Sequence, residues 1–270
     1  MEKQYALSIC DAMELFMDDT KYSFPVNTKY LYVGSYFCAR YFVNTPWKLW
    51  KSVLNRIEGT DIKAVLVIPL PGQMDLEKTK KMVSRLLEKY GDIIKEIVVN
   101  DYGMLHWVNH HYSEYPIWCG RLMSRDYRDP RFEEKFQRFC LPLRLIDGKI
   151  DDVPVVGVEG DPVTQLDPVC FETQTIIGIH FPFVYLTMGR ICEIGSLGEP
   201  LQSRFRLYES CRRQCANVAI FYEQNGIAYI KQGTAVFAKG DDFIQHISCA
   251  RIRYIYSSVF DIIEKNRSKE

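Results

Sequence analysis

The sequence predicts an α/β protein, a (β/α)8 TIM-like barrel, and three observations support that prediction. Strand-like and helix-like segments alternate along the 270 residues, which is typical of a parallel sheet. The strand-like segments number about eight, the count that closes such a barrel. Residues 62–70 are apolar except for Lys63, as expected of a strand buried on both faces. An open doubly wound sheet is the alternative, but no Gly-x-Gly-x-x-Gly or phosphate-binding loop follows a strand-like segment.

The predicted strands are runs of aliphatic and aromatic residues bounded by turn-forming residues. Residues 227–238 additionally predict a β-hairpin around Gln232-Gly233. We assign this hairpin and the cysteine-bearing segment to an insertion at residues 188–240, before the last strand of one domain spanning residues 1–270. The eight strands are predicted at residues 5–10, 29–35, 62–70, 94–100, 116–120, 153–159, 175–187 and 250–257.

The predicted helices lie between these strands and begin at capping residues. Thr45 is expected to cap a helix whose first residue is Pro46, whose apolar stripe includes Trp47 and Trp50, and which ends near Gly59. The remaining helices are predicted to begin at Asp75, near Gly103, at Asp129-Pro130 and at Asp161-Pro162, with the last at residues 259–265.

Charge and composition narrow the functional classes. Lys plus Arg and Asp plus Glu both number 34, so the formal net charge is zero and bulk nucleic-acid binding is not indicated. We see neither a signal peptide nor an apolar run long enough for a membrane span, and we expect a cytoplasmic protein. Nine cysteines form an odd and high count, which favours reduced thiols, some of them binding metal, over a disulfide scaffold.

Four cysteines carry the strongest functional signal. Cys192, Cys211 and Cys215 lie late in the chain, Cys38 lies early, and the predicted strands bring all four to one rim of the barrel. Four converging thiolates predict a metal or iron–sulfur site. Only one close Cys pair is present, so dispersed ligands favour an iron–sulfur cluster over zinc, which stays the alternative. Cys10 or Cys119 could replace one of the four.

Two carboxylates are candidate catalytic groups at the same rim. Asp101 and Glu159 follow predicted strands, where they could handle protons or bind substrate; either could instead cap a helix. His180 is predicted to be structural. We predict that His106 and the neighbouring pair His110 and His111 lie on a helix surface, since no His-Glu-x-x-His pattern is present.

Several motifs resemble peptidase family U32, the collagenase-like proteins, and they occur in the family's order over most of the chain. The pieces that carry the resemblance are Tyr32-Val33-Gly34-Ser35 with Cys38 and Arg40, Val98-Val99-Asn100-Asp101-Tyr102-Gly103, Gly120-Arg121-Leu122, Arg128-Asp129-Pro130-Arg131 and Cys192 followed by Cys211-x3-Cys215.

The resemblance implies a barrel fold and, from the cysteine layout, a 4Fe-4S cluster held by Cys38, Cys192, Cys211 and Cys215. Family members with this layout serve oxygen-independent ubiquinone hydroxylation, and relatives act on a quinone precursor or an RNA base with prephenate as oxygen donor. Others carry a protease label, and some pair with a second family member. The 18 residues between Cys192 and Cys211 indicate a distinct subgroup, so the substrate does not carry over. A small-molecule substrate and a heterodimer are therefore both expectations.

Overall fold

The computed structural model describes residues 2–16, 24, 27–124, 138–139, 145–161, 165–166, 175–204, 211–216, 218–239 and 251–257. The helices predicted at Asp129-Pro130, after Asp161-Pro162 and at residues 259–265 lie outside these residues. So do Cys140, Cys170 and Cys249.

The strands fall into one barrel and three smaller sheets. In chain order they are β1 (Glu2–Ser8), β2 (Tyr30–Gly34), β3 (Lys63–Ile68), β4 (Ile94–Val99), β5 (Ile117–Cys119), β6 (Arg138–Phe139), β7 (Leu145–Ile146), β8 (Lys149–Ile150), β9 (Val153–Pro154), β10 (Gly157–Gly160), β11 (Gln165–Leu166), β12 (Ile176–Phe181), β13 (Phe183–Met188), β14 (Ala219–Gln224), β15 (Ile227–Gln232), β16 (Ala235–Lys239) and β17 (Arg251–Ser257).

The predicted (β/α)8 barrel is confirmed. Strands β1, β2, β3, β4, β5, β10, β12 and β17 follow one another around a closed sheet in which β17 pairs again with β1. All eight neighbouring pairs are parallel. Because the strands are parallel, their carboxyl ends meet at one mouth, where barrel enzymes carry their sites.

Helices cover the outside of the barrel. Four of them are α1 (Ala39–Val43), α2 (Trp47–Asn55), α3 (Leu76–Tyr90) and α4 (Tyr102–His111); a fifth, α5 (Glu193–Ser196), belongs to the insertion. Trp50 of α2 is fully buried and packs in the same cluster as the outward-facing Leu31 and Val33 of β2. The predicted role of the Trp47 and Trp50 stripe in core packing is therefore confirmed.

Two predicted helix starts differ in detail. Thr45 does not cap α2: its hydroxyl donates to the carbonyl of Tyr41, so it closes α1. Asp75 lies at the start of α3, but its carboxylate pairs with Arg40 instead of capping the helix. Asp161, the residue before the predicted helix start at Pro162, is buried and pairs with Arg121.

Two strand predictions also change. The segment predicted as one strand at 153–159 divides into β9, in a small antiparallel sheet with β7 and β8, and the barrel strand β10. The segment at 175–187 divides at Pro182 into the barrel strand β12 and β13. Apolar sequence does not reveal the second division, because the residues on both sides of Pro182 are mostly buried or half-buried.

The predicted hairpin is confirmed as β15 and β16, and it belongs to a larger sheet. This antiparallel sheet, in the order β13-β16-β15-β14, lies between β12 and β17 in the chain. Its side chains Phe183, Tyr185 and Phe237 pack in the same buried cluster as Tyr32 and Trp118 from the barrel interior. The inserted sheet therefore covers the barrel mouth, and we call it the covering sheet.

Candidate metal centre and barrel mouth

Cys38 lies at the mouth end of β2 and begins α1. Its Sγ accepts a hydrogen bond from the backbone N–H of Tyr41 at 3.4 Å, the position of a helix-capping oxygen. Its own N–H donates to Ser35 Oγ at 3.0 Å. Cys38 therefore has a fixed orientation set by the strand end and the short helix.

The other three cysteines belong to the insertion. Cys192 follows β13, rather than a barrel strand as predicted, and its Sγ accepts the N–H of Gly195 at 3.2 Å. Cys211 Sγ accepts the N–H of Arg213 at 3.3 Å, and its carbonyl accepts from Asn44 Nδ2 at 3.2 Å. Backbone donors to sulfur stabilise thiolates and tune the potential of iron–sulfur centres.

The structure brings all four predicted cysteines together. Cys38, Cys192 and Cys215 pack in one small cluster with Tyr41 and Ile194. Cys211 is close enough that its charge acts on both Cys38 and Cys215. We call this set of four residues the cysteine centre. Its convergence from β2, the segment after β13 and residues 211–215 confirms that distant parts of the chain meet here.

Burial and the neighbouring negative groups raise the pKa of two of these thiols, Cys38 and Cys215. Burial, and then the charges of Asp11 and the other cysteines, raise the pKa of Cys38 to about 12. Burial is also the main cause that raises the pKa of Cys215, with Cys38 next. A bound cation would reverse this balance, because metal ligation deprotonates a thiol outright.

One arginine lies against the centre. The guanidinium of Arg213 stacks 4.2 Å from the ring centroid of Tyr41 and pairs with Glu14. The Tyr41 hydroxyl donates to Glu14 at 2.6 Å. Arg213 adopts φ of +60°, so the chain turns sharply between Cys211 and Cys215. Arg213 therefore places a positive charge in the short segment between these two cysteines.

The donor set of the cysteine centre is four thiols, three of which accept backbone N–H bonds at sulfur. Four thiolates are the ligands both of a 4Fe-4S cluster and of a four-cysteine zinc site. Within the described ranges, no group of three or more His, Cys, Asp or Glu side chains is arranged to hold one metal ion.

A cavity of about 80 Å³ opens beside Cys38. Its wall includes the Arg40 and Asp75 ion pair, and Met188 and Thr234 from the covering sheet. A space of this size holds several water molecules or a small ligand fragment. The cavity therefore offers access to one edge of the cysteine centre.

Glu159 lies inside the barrel rather than after its strand, since β10 continues to Gly160. Its Oε2 accepts from the Tyr36 hydroxyl at 2.9 Å and lies 3.1 Å from His180 Nε2. Gly178 on β12 makes room for it, because a Cβ there would lie 3.1 Å from Glu159 Cγ. Burial raises the pKa of Glu159 to about 8, although Tyr36 and Arg121 favour the charged form.

Arg121 is buried in an aromatic enclosure at the mouth. Its guanidinium pairs with Asp161 and lies 5.7–5.9 Å from the ring centroids of Tyr36, Phe37, Tyr185 and Phe237. These rings exclude water and stabilise the cation through their π faces.

Asp11 connects the cysteine centre with the mouth. Its carboxylate accepts from the Ser35 hydroxyl and, at 3.2 Å, from the N–H of Tyr36. Its carbonyl accepts from Gln232 Nε2 of the covering sheet at 3.3 Å. Burial raises its pKa to about 7. One short turn after β1 is therefore bonded both to the Cys38 loop and to the covering sheet.

Asp101 accepts a hydrogen bond from the start of its own helix, α4. Its Oδ1 accepts the N–H of Met104 at 2.9 Å, the capping alternative for this residue, and desolvation raises its pKa. Cys119 packs in the outer core and Cys10 lines the mouth, so neither belongs to the cysteine centre. His106, His110 and His111 lie on α4 as predicted.

Sequence reasoning missed three residues of the mouth: Asp11, Tyr36 and Arg121. His180, which was predicted to be structural, is buried on β12 and contacts Glu159. Both are polar residues at inward positions of apolar strands.

Comparison with known proteins adds no identification. Neither a protein-family model, nor a curated protein, nor a solved structure matches the chain. The resemblance to family U32 therefore stays a prediction. Among the described residues, no helix has the length and apolar character needed to span a membrane.

Proposed function

We propose that Cys38, Cys192, Cys211 and Cys215 bind a 4Fe-4S cluster at the mouth of the barrel. The observation that carries the proposal is the convergence of four thiols, of which three accept backbone N–H bonds at sulfur. Zinc is the alternative, and the dispersed cysteines, with only one close pair in the sequence, favour the cluster.

We further propose that the protein acts in, or as, an oxygen-independent hydroxylase in the cytoplasm, on a quinone precursor or an RNA base. A bound cluster with four thiolate ligands supplies one-electron transfer. The chain's own residues then have separate tasks. The aromatic enclosure excludes water from the mouth, and the cavity beside Cys38 admits a small ligand. The six described cysteines are free thiols, as a reducing compartment requires.

The residues at the barrel mouth give less support to the peptidase alternative. Cys10 is the thiol that lines it, and burial followed by the charge of Asp11 raises its pKa well above the ordinary value. A nucleophilic cysteine needs the opposite shift.

A second candidate is a non-catalytic partner whose cluster relays electrons to another subunit. Exposed apolar side chains near Cys192 favour it: Ile191, Leu197 and Leu201 are 39%, 66% and 81% exposed. Such residues are typical of docking surfaces when they are grouped. Leu201→Glu would weaken complex formation with a second barrel subunit but leave the iron content unchanged, whereas Cys38→Ser would lower the iron content.

The test of the cluster is anaerobic purification followed by iron, sulfide and zinc assays. About four irons and four sulfides per chain are expected, with a brown colour. Cys38→Ser and Cys211→Ser should lose most of the iron. Cys119→Ala is the matched control, because this buried thiol packs in the outer core and should keep the full iron content. A colourless protein with one zinc per chain would contradict the proposal.

A further inference from the structure

The turn between the last two cysteines is built on an unfavourable backbone conformation of Arg213. Its φ is +60°, a left-handed conformation that costs free energy in any residue other than glycine. In that conformation the N–H of Arg213 donates to Cys211 Sγ at 3.3 Å, and its carbonyl accepts the N–H of Ala216 at 3.0 Å. Such conformations persist only where surrounding contacts hold them, and they are concentrated at functional sites.

The side chain of Arg213 supplies those contacts, because it is anchored on the barrel. Only 9% of it is exposed, its guanidinium pairs with Glu14, and it stacks 4.2 Å from the ring centroid of Tyr41. The Tyr41 hydroxyl donates to Glu14 at 2.6 Å and accepts the N–H of Met13 at 3.1 Å. The anchor is therefore itself fixed by hydrogen bonds to the segment that follows β1.

Tyr41 connects this anchor to the cysteine that the barrel contributes. Its backbone N–H donates to Cys38 Sγ at 3.4 Å, and its buried ring packs in one cluster with Cys38, Cys192 and Cys215. One residue of α1 therefore contacts the barrel's own thiol and also holds the arginine of the inserted turn. The Arg213 side chain is a direct link between the two parts of the chain that form the cysteine centre.

We infer that Arg213 is a positioning residue of the cysteine centre. Its side chain, held by Tyr41 and Glu14, fixes the turn that presents the last two cysteines for metal binding. Arg212 carries the same charge one residue earlier, but its side chain is exposed. The anchored position of Arg213, rather than its charge alone, gives it this task. The inference rests on the proposed metal-binding role of the centre, and it holds for a cluster and for zinc alike.

The test is a cadmium titration of the full-length chain after anaerobic removal of iron and zinc. Thiolates bind this soft ion, and the sulfur-to-cadmium charge-transfer band in the ultraviolet reports thiolate binding specifically. Arg213→Gln should weaken cadmium binding about 10–100-fold, the effect of losing a partner that orients metal ligands. Arg212→Gln is the matched control and should keep the wild-type affinity. Arg213→Lys should recover most of the loss, because an ammonium group also pairs with Glu14 and stacks on Tyr41.

Arg213→Gly separates the side chain from the backbone. Glycine adopts the left-handed conformation freely but removes the anchor, so this variant should bind cadmium as weakly as Arg213→Gln. Wild-type affinity in Arg213→Gly, equal losses in Arg212→Gln and Arg213→Gln, or no charge-transfer band in the wild-type protein would overturn the inference.

Two further measurements keep the result unambiguous. Circular dichroism establishes that each variant is folded; if Arg213→Gln is not, Glu14→Gln decides by the same titration, because it removes the charge that anchors Arg213 and should also weaken binding. Iron and sulfide are assayed on the wild-type protein before the metal is removed. Their absence would contradict the proposed cluster, whereas only the cadmium affinities of the variants contradict the role of Arg213.

Discussion

Glu159→Gln should stabilise the protein at neutral and alkaline pH. The carboxyl of Glu159 has an ordinary pKa of 4.5, which burial raises to about 8 in the folded barrel. Between these values the folded state keeps a proton that the unfolded state has lost. Stability therefore falls as the pH rises through this window, by about 1.4 kcal/mol per pH unit and by about 5 kcal/mol in total.

Glutamine has nearly the same shape and no charge, so the substitution removes this pH dependence. The variant's gain in the free energy of unfolding relative to the wild-type protein should be near its smallest at pH 4.5. The gain should reach about 3 kcal/mol more at pH 7 and level off above pH 8. The sign follows from the raised pKa: protonated Glu159 is the form that the fold accommodates.

Urea unfolding of both proteins, purified anaerobically, at half-unit steps from pH 4.5 to pH 9 measures this difference. Glu96→Gln is the control, because it removes another barrel carboxylate, one that pairs with Arg253, but keeps Glu159. Its stability difference from the wild-type protein should not show this trend. A stability difference between Glu159→Gln and the wild-type protein that stays constant across this pH range would refute the reasoning.

Three further predictions concern the barrel and a helix cap. Arg253→Met should lower the free energy of unfolding by about 3 kcal/mol in urea titration, because it leaves Glu96 without its buried partner; adding Glu96→Gln should recover most of the loss, and strictly additive effects would contradict the pairing. Gly157→Ala should cost about 1–3 kcal/mol by the same assay, since a Cβ there overlaps the Trp118 ring; an unchanged midpoint would show that the ring moves freely. Asp101→Asn should keep the wild-type free energy of unfolding in the same assay, because asparagine caps helices as well as aspartate; a clear loss of stability would show that the carboxylate does more than cap α4.

The barrel was predictable because many separate segments of the sequence each indicate a strand or a helix. Continuous apolar runs such as that of β3, and helix stripes such as that of α2, repeat along the chain, so errors of a few residues at each end do not change the architecture. The division of residues 175–187 into β12 and β13 was not predictable from periodicity, since both halves are apolar and strand-forming. That division places Cys192 after β13, the first strand of the covering sheet, rather than after a barrel strand.

The cysteine centre was predictable from residue type, whereas the mouth was not. Cysteine is rare enough that four thiols at strand ends indicate a shared site. Glu159 and His180 lie on different strands and meet only through the register of β10 and β12, where Gly178 provides the space. Asp11 depends on a left-handed backbone conformation, with φ of +62°, that the sequence around it does not specify.

The central claim is that four cysteines bind a 4Fe-4S cluster, and the iron and sulfide content of the anaerobically purified protein tests it most directly. We predict about four of each per chain in the wild-type protein and in Cys119→Ala. We predict a large loss when any one of Cys38, Cys192, Cys211 or Cys215 is replaced by serine. Full iron in two of these four variants, or stoichiometric zinc in the wild-type protein, would contradict the claim.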